Sequence, residues 1–282
     1  MAPSSQGMEP PRNPARFKNL RTAFGGLTAS QVTRAAVARY VSARRAERAA
    51  VNTVQNEVNA LSKMLGLAVR HGLLSSAPRF ERLRATPARA ESFTEDELRQ
   101  LLNVLEHGRP ATAMQSAVKP QPGLAAAVAF AAWSGWRLRS DVLPLRWSDV
   151  NWEAGVVVRP NRGTSKAHSA LNWPLGAVPD MLALFERQRE HTVVLGRERG
   201  VAPTLVFTRE NGAPIVNYAR AFETACKECG LDRVPHDLRR CAARRWRTLG
   251  LSDRDVAEVV GWRTVSMVSR YLGTDQAGVT AR

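Results

Sequence analysis

The sequence has few cysteines and no long apolar run. Its three cysteines, Cys226, Cys229 and Cys241, do not form the disulfide framework of a small secreted domain, which fits a reducing cytoplasm. No run of about 18 or more apolar residues occurs, so the sequence predicts no transmembrane helix. The first 16 residues lack the apolar segment of a signal peptide. We therefore expect a cytoplasmic protein that does not associate with membranes.

The sequence also lacks a Gly-rich loop of the kind that binds nucleotide phosphates, and it predicts no cofactor. It has only three tyrosines, Tyr40, Tyr218 and Tyr271. Tyr40 lies in an apolar stripe, which indicates a core position, and Tyr218 lies near a helix start. Tyr271 is isolated and comes late in the chain. It is therefore the tyrosine that we consider for chemistry.

Acidic residues are outnumbered by basic ones. The 282 residues include 41 Lys and Arg but 25 Asp and Glu, giving a net charge of +16 and a pI of about 11.2. Such an excess favours a polyanionic partner, and nucleic acid is the first choice. Hydrophobic residues make up 44% of the chain, enough for the core of one large or two ordinary domains.

The chain is predicted to contain two modules joined by a linker. Residues 1–16 indicate a disordered basic arm, and residues 17–77 indicate a small helical module. Residues 78–91 contain two prolines and four arginines without periodicity, which is typical of a linker. Residues 92–282 form the second module.

The helical module carries recognisable helix signals. Ser30 or Thr33 could cap one helix, and Asn52 with Gln55 resembles a capping box. Gly72 is expected to end the second long helix. The apolar residues of that helix recur at helical spacing: Val54, Val58, Leu61, Leu65 and Val69.

The second module is predicted to be mainly helical with a small antiparallel sheet, an α+β fold. The run 93–97 is a strong helix start with a capping box, and the apolar run 124–133 should be a central buried helix. Residues 155–159 and 171–175 are predicted to pair as strands around a loop, and 204–207 is predicted to be a short strand. The chain from His236 to Tyr271 is expected to be helical, with breaks at glycines.

Polar residues beside these elements suggest a site. Arg137 and Arg139 follow the predicted buried helix, and arginine is costly to bury without a partner. Arg137 could pair with Asp141 or Asp149, or its guanidinium could bind a phosphate. Farther along, His236 and Arg239 are three residues apart and therefore share one helix face.

The order of these motifs resembles the tyrosine recombinases, also called the phage integrase family. The resemblance runs from about residue 22 to Tyr271. It is carried by the following segments: Ser134-Gly135-Trp136-Arg137, then Asp141, Gly163-Thr164-Ser165-Lys166, His236-Asp237-Leu238-Arg239, Gly261-Trp262, and Tyr271 nine residues after Trp262. Each motif alone is weak, whereas all of them in order are a strong signal.

The resemblance implies a helical core-binding domain followed by a catalytic domain. It implies that Tyr271 attacks DNA, and that the other catalytic residues are Arg137, Lys166, His236, Arg239 and Trp262. No metal or cofactor is implied. The implied partner is double-stranded DNA, with a homotetramer on DNA and a monomer or weak oligomer when free. The protein would then be a bacterial or phage-encoded recombinase of a mobile element.

The sequence departs from the family pattern at four points. Arg137 and Asp141 are one residue farther apart than is usual, so Arg139 competes with Arg137, although the Gly-x-Arg context favours Arg137. Cys241 stands where a small hydroxyl residue is common, and Trp262 replaces a more common histidine. The first helix expected before residues 23–25 is missing or unrecognisable.

Three other interpretations fit parts of the sequence. A protein with the recombinase fold could bind DNA without cleaving it, and the ordered set of site residues argues against this reading. A type IB topoisomerase shares the chemistry but acts as a monomer without sequence specificity. Cys226 and Cys229 with His236 and Cys241 could bind zinc, but their spacing is irregular.

Overall fold

The structure, a computed structural model, describes residues 14–83, 92–112, 116–159 and 171–272. Contacts divide the chain into two compact units, Met1–Arg89 and Ala90–Arg282. This division lies inside the predicted linker, whose described part carries no helix or strand. None of the helices in the described ranges has the length and apolar character that a membrane span requires.

The first unit is helical in its described part, as predicted. It consists of α1 (Pro14–Phe24), a 3-10 turn (Ala29–Gln31), α2 (Arg34–Ala46) and α3 (Val51–Arg70). Helix α3 presents a strongly amphipathic face, and its apolar residues pack against α1 and α2. The core residues include Leu20, Phe24, Val37, Tyr40, Val58, Leu61 and Leu65.

A helix, α1, is present in the region where the sequence left the first helix missing or unrecognisable. It also begins at Pro14, inside the predicted disordered arm of residues 1–16. Leu20 and Phe24, four residues apart, place their side chains in the core, so the helix is stabilised by packing. So short an apolar stripe in a basic, polar segment gives little periodic signal, which explains why sequence reasoning missed it.

Two of the predicted helix signals are confirmed and one is wrong. Thr33 caps α2, because its hydroxyl accepts a hydrogen bond from the Ala36 N–H at 3.2 Å. Helix α3 ends before Gly72, which has a φ of +69°. Asn52 is not a cap, because α3 begins at Val51. Gln55 instead accepts a hydrogen bond from the backbone N–H of Leu83 at 2.6 Å, a long-range contact that the local pattern does not reveal.

A buried carboxylate joins the three helices of this unit. Glu57 on α3 is 1% exposed and accepts hydrogen bonds from Asn19 at 2.9 Å, Tyr40 at 2.8 Å and Arg44 at 3.1 Å. Burial raises the pKa of Glu57, but these hydrogen bonds outweigh it and the pKa is lowered overall. The carboxylate is therefore charged in the folded state and links α1, α2 and α3.

We predict that Glu57→Ala lowers the free energy of unfolding by about 3 kcal/mol, since it leaves Arg44 and Tyr40 without their shared partner. Urea titration of the full chain measures this loss. The control is Glu47→Ala, because Glu47 pairs with the same arginine but exposes 60% of its side chain, and we expect at most about 0.5 kcal/mol. Equal losses in the two variants would contradict the prediction.

The same carboxylate makes stability depend on pH. Because the folded pKa of Glu57 lies below its ordinary value of 4.5, its contribution is present above that value. It is lost as the pH falls through the folded pKa.

The second unit contains seven helices and one sheet within its described residues. The helices are α4 (Glu95–His107), α5 (Pro122–Ser134), α6 (Pro179–Arg199), α7 (Tyr218–Glu228), α8 (Leu238–Thr248), α9 (Asp253–Val260) and α10 (Ser266–Leu272). The predicted capping box of α4 is present, with Thr94 as the cap and Glu97 as its partner.

The sheet has three short antiparallel strands, β1 (Val150–Asn151), β2 (Val156–Val158) and β3 (Asn172–Trp173), in that order. Its register pairs Val157 with both Val150 and Trp173. The predicted class, mainly α with a small antiparallel sheet, is confirmed.

The predicted strand at residues 204–207 is wrong. This segment forms an isolated bridge, Arg146 with Leu205, and its backbone hydrogen bonds go to residues 145 and 147. The N–H of Trp147 donates to Thr204 O at 3.0 Å, and the N–H of Val206 donates to Leu145 O at 2.9 Å. Val206 and Phe207 are buried, but the backbone pairing is limited to this one bridge and does not extend into a strand.

Helix α5 forms the centre of this core and packs against α4 and α8. Phe130 on α5 is fully buried and makes edge contacts with Trp136, Trp173 and Phe185 at centroid distances of 5.6, 5.0 and 5.0 Å. Aromatic edge contacts of this kind stabilise beyond the area they bury. The cluster therefore fixes the end of α5, from which the site begins.

Candidate active site

Helix α5 ends at Gly135, and the chain then turns toward the site. Gly135 adopts a left-handed conformation with a φ of +65°. A Cβ atom there would lie 2.7 Å from Cγ1 of Val260 on α9, so the close packing of α5 against α9 also requires glycine. Trp136 is buried, and Arg137 exposes 44% of its side chain.

The extra residue between Arg137 and Asp141 is accommodated in a π-helical turn at Leu138–Val142. The N–H of Val142 donates to Arg137 O at 3.1 Å, and the N–H of Leu143 donates to Leu138 O at 2.9 Å. A π-helical turn holds one residue more than an α-helical turn and often lies at a functional site. The wider spacing therefore gives a local change of helix type while Asp141 still reaches Arg137.

Asp141 is completely buried and orients Arg137. Its carboxylate accepts hydrogen bonds from the backbone N–H of Arg137 at 3.1 Å and from the Ser140 hydroxyl at 2.9 Å. It also lies 3.7 Å from Nη1 of Arg137. Of the two partners that the sequence left open, Asp141 therefore makes the pair, while Asp149 accepts from the backbone of Arg146.

Tyr271 and His236 meet across 35 residues of sequence. His236 lies in a 3-10 turn before α8, and Tyr271 lies on α10. Nε2 of His236 is 2.7 Å from the Tyr271 hydroxyl oxygen. The Tyr271 ring stacks on Trp262 at 4.7 Å with an interplanar angle of 13°. The phenol is therefore held between an imidazole and an indole.

Arg239 is buried beside the ring of Trp262. It is 3% exposed, and its Cζ atom is 5.7 Å from the Trp262 ring centroid. Arg240 is also buried, with Cζ 5.7 Å from the Tyr271 ring and Nη1 3.6 Å from Asp237. Sequence analysis did not single out Arg240, since adjacent arginines on a helix usually point to different sides and nothing local marks the second as buried.

The site carries an excess of positive charge. Burial, and then the positive charge of Arg137, lower the pKa of Arg239 to about 10. Partial burial lowers the pKa of His236 below its ordinary value, and the charges of Arg239 and Arg137 lower it further. A neutral imidazole can accept a hydrogen bond or a proton from the phenol.

Two buried donors in the site have no acceptor among the described residues. They are Nη1 of Arg239 and Nε1 of Trp262. Leaving a buried donor unpaired costs about 1–3 kcal/mol, and more for a charged group. Together with the surplus positive charge, these donors are suited to an anion with several oxygen atoms.

The structure thus brings five of the six predicted site residues together: Arg137, His236, Arg239, Trp262 and Tyr271. Lys166 lies outside the described residues. Arg139 is exposed, and the charge that acts on His236 and Arg239 is that of Arg137.

The cysteines are placed as packing residues. Cys226 and Cys241 are buried, and burial raises the pKa of their thiols to about 12 and about 11. The part of the chain that the structure describes holds no group of three or more His, Cys, Asp or Glu side chains placed to bind a metal ion. In those residues the zinc alternative has no cluster of ligands to support it.

The second unit matches the model of a known protein family. The model of the phage integrase family matches residues 91–277, well over half of the chain. An integrase of Saccharopolyspora erythraea is 34% identical over 108 residues, which represent 34% of this chain and 23% of that protein. The matched part thus spans about a quarter of that relative.

Solved structures share the fold at low identity. A lambda integrase dimer bound to a core site is 18% identical, with a TM-score of 0.68 over 95% of this chain and 88% of that one. The Tn1549 transposon integrase in complex with circular intermediate DNA is 14% identical, with a TM-score of 0.69 over 90% and 85%. The match to the family model over residues 91–277 shows that the chain belongs to the phage integrase family, the tyrosine recombinases.

We predict that the pKa of His236 lies below 6.5, measured by NMR titration of its ring. Arg137→Met should raise this pKa, because it removes a positive charge that disfavours the imidazolium ion. The matched control, Arg139→Met, should leave it unchanged. A wild-type pKa at or above 6.5, or equal shifts in the two variants, would contradict the electrostatic description of the site.

Proposed function

We propose that the protein is a site-specific DNA recombinase, or integrase, that breaks and rejoins DNA through a 3′-phosphotyrosyl intermediate on Tyr271. The observation that carries the proposal is the 2.7 Å contact between Tyr271 and His236, beside buried donors that have no acceptor among the described residues. Membership of the phage integrase family supports it.

The first step activates the phenol. A tyrosine hydroxyl has a pKa of about 10, so it needs a base to attack near neutral pH. Neutral His236 accepts the proton, and the Tyr271 oxygen attacks the phosphorus of a DNA phosphodiester. The bond from phosphorus to the 5′-oxygen breaks. The departing oxygen takes a proton, and the family resemblance assigns its donation to Lys166.

The arginines act on the charge that develops at phosphorus. In the transition state the non-bridging oxygens carry more negative charge than in the substrate. The guanidinium groups of Arg137 and Arg239 can each bind these oxygens, and planar guanidinium suits such bidentate contacts. Trp262 can donate its Nε1–H, which has no acceptor in the described part of the chain, to one of them. Asp141 holds Arg137 in position through the side-chain and backbone contacts described above.

Rejoining is the reverse reaction on a different strand. A free 5′-hydroxyl returns its proton to the deprotonated Lys166 as its oxygen attacks the phosphotyrosyl phosphorus, the bond to Tyr271 breaks, and the phenolate recovers its proton from His236. The phosphodiester bond is restored without nucleotide hydrolysis, because the phosphotyrosyl bond conserves the energy of the phosphodiester bond that was broken.

The proposed partner is double-stranded DNA, in keeping with the net charge of +16. One solved relative is a lambda integrase tetramer bound to a Holliday junction, with 19% identity and a TM-score of 0.68 over 95% of this chain and 73% of that one. By analogy we propose that this protein acts as a homotetramer on DNA and is a monomer or weak oligomer when free. The first unit would then bind core DNA, and the second would catalyse cleavage at a site of a mobile element.

We predict that the protein forms an SDS-resistant covalent adduct with a nicked suicide duplex carrying its site, and that Tyr271→Phe abolishes it. Gel electrophoresis of the denatured complex measures the adduct. The matched control is Tyr218→Phe, which removes the same atom from a tyrosine at the start of α7 and should retain the adduct. Salt-sensitive binding to a verified site without any adduct would support a DNA-binding protein that does not cleave.

A second prediction concerns the choice between two arginines. Arg137→Ala should slow adduct formation by at least about 100-fold, because one transition-state contact contributes roughly 3 kcal/mol. Arg139→Ala should change the rate less than about threefold, since this exposed residue has no assigned phosphate contact. Quenched time courses on the same suicide duplex give both rates. The reverse order would show that Arg139, and not Arg137, is the catalytic arginine of this segment.

A further inference from the structure

Arg159, at the end of β2, is a buried arginine outside the predicted catalytic set. It is 3% exposed and contacts both the segment that carries Arg137 and the segment that carries Trp262. Its Cζ atom is 5.8 Å from the Trp136 ring centroid. A Cβ atom on Gly261 would lie 2.4 Å from its Nη1, so the guanidinium packs directly against the glycine that ends α9.

The positive charge of the Arg159 guanidinium is poorly compensated by acceptors and carboxylates among the described residues. Its Nη1 has no acceptor among the described residues. Burial lowers the pKa of Arg159, the charge of Asp141 opposes this effect, and the charge of Arg137 adds to it. Asp141 already pairs with Arg137, so one carboxylate faces two guanidinium groups. A buried charge without its own partner is costly unless a ligand supplies the opposite charge.

Arg159 lines an open cavity of about 480 Å³ at the end of α9, which we name the α9 cavity. Two more arginines, Arg254 and Arg263, line it together with Thr264, Trp262 and the carboxylate of Glu258. With three guanidinium groups and one carboxylate, the lining is positive overall. Trp262 also stacks on Tyr271, so the cavity adjoins the proposed catalytic site.

We propose that the α9 cavity binds a second phosphate of the DNA backbone, beside the phosphate that Tyr271 attacks. Arg159 is the buried donor of this subsite, and Arg263 and Thr264 lie at its exposed rim. A guanidinium group matches phosphate oxygens in geometry and charge. The DNA source of this phosphate rests on the proposed function, whereas the anion chemistry of the cavity does not.

The test measures duplex binding by the full chain as a function of salt. Loss of one phosphate contact lowers the slope of log K against log salt by about 0.9. We expect this change for Arg159→Met, which keeps a long apolar side chain, and little change for Arg159→Lys, which keeps the charge. If Arg159→Met does not fold, Arg263→Gln, at an exposed position, should show the same reduction. A wild-type slope in the folded variant would overturn the proposal.

A second arm separates a DNA phosphate from a free one. Thermal unfolding without DNA is followed in inorganic phosphate and in chloride at equal ionic strength. If phosphate stabilises the wild type but not Arg159→Met while their DNA slopes agree, the cavity binds free phosphate, and the DNA proposal is wrong. The adduct assay is independent. If Arg159→Met changes the salt slope of DNA binding but the wild type forms no adduct, the recombinase proposal is wrong and the phosphate subsite stands. If the wild type forms the adduct but Arg159→Met leaves the slope unchanged, the recombinase proposal stands and the subsite is wrong.

Discussion

The site depends on the burial of positive charge that the protein itself only partly balances. Arg239 is 3% exposed, and Arg137 lies close enough for its charge to lower the pKa of Arg239. Asp141 is the carboxylate that faces both groups. Such an arrangement destabilises the free protein, and it is favourable when an anion with several oxygens enters. The proposed binding of phosphate and the lowered pKa of His236 both follow from this charge excess.

The packing of the second unit holds these charges in place. The aromatic cluster around Phe130 fixes the end of α5, and the close contact of Gly135 with Val260 joins α5 to α9. Arg137 follows one end of this contact and Trp262 the other. Apolar contacts therefore bring together site residues that are far apart in sequence. These contacts supply the rigidity, so the site does not need a separate ion pair for each residue.

Sequence reasoning recovered the parts of this arrangement that local chemistry specifies. The capping box at Thr94, the buried helix α5 and the order of the site motifs all carry strong local signals. Helix α1 was missed because tertiary contacts stabilise it more than its own pattern does. The π-helical turn was visible only as an irregular spacing. The burial of Arg159 was not predictable, because it depends on Gly261, about 100 residues away in sequence.

The central claim is that the Tyr271 oxygen becomes covalently bonded to DNA. Its most direct test is mass spectrometry of the peptide that remains linked to nucleotide after trypsin and nuclease digestion of the trapped complex. We expect a nucleotide 3′-phosphate attached to Tyr271. A nucleotide attached to Tyr218, to Tyr40 or to a serine would contradict it, as would linkage through a 5′-phosphate.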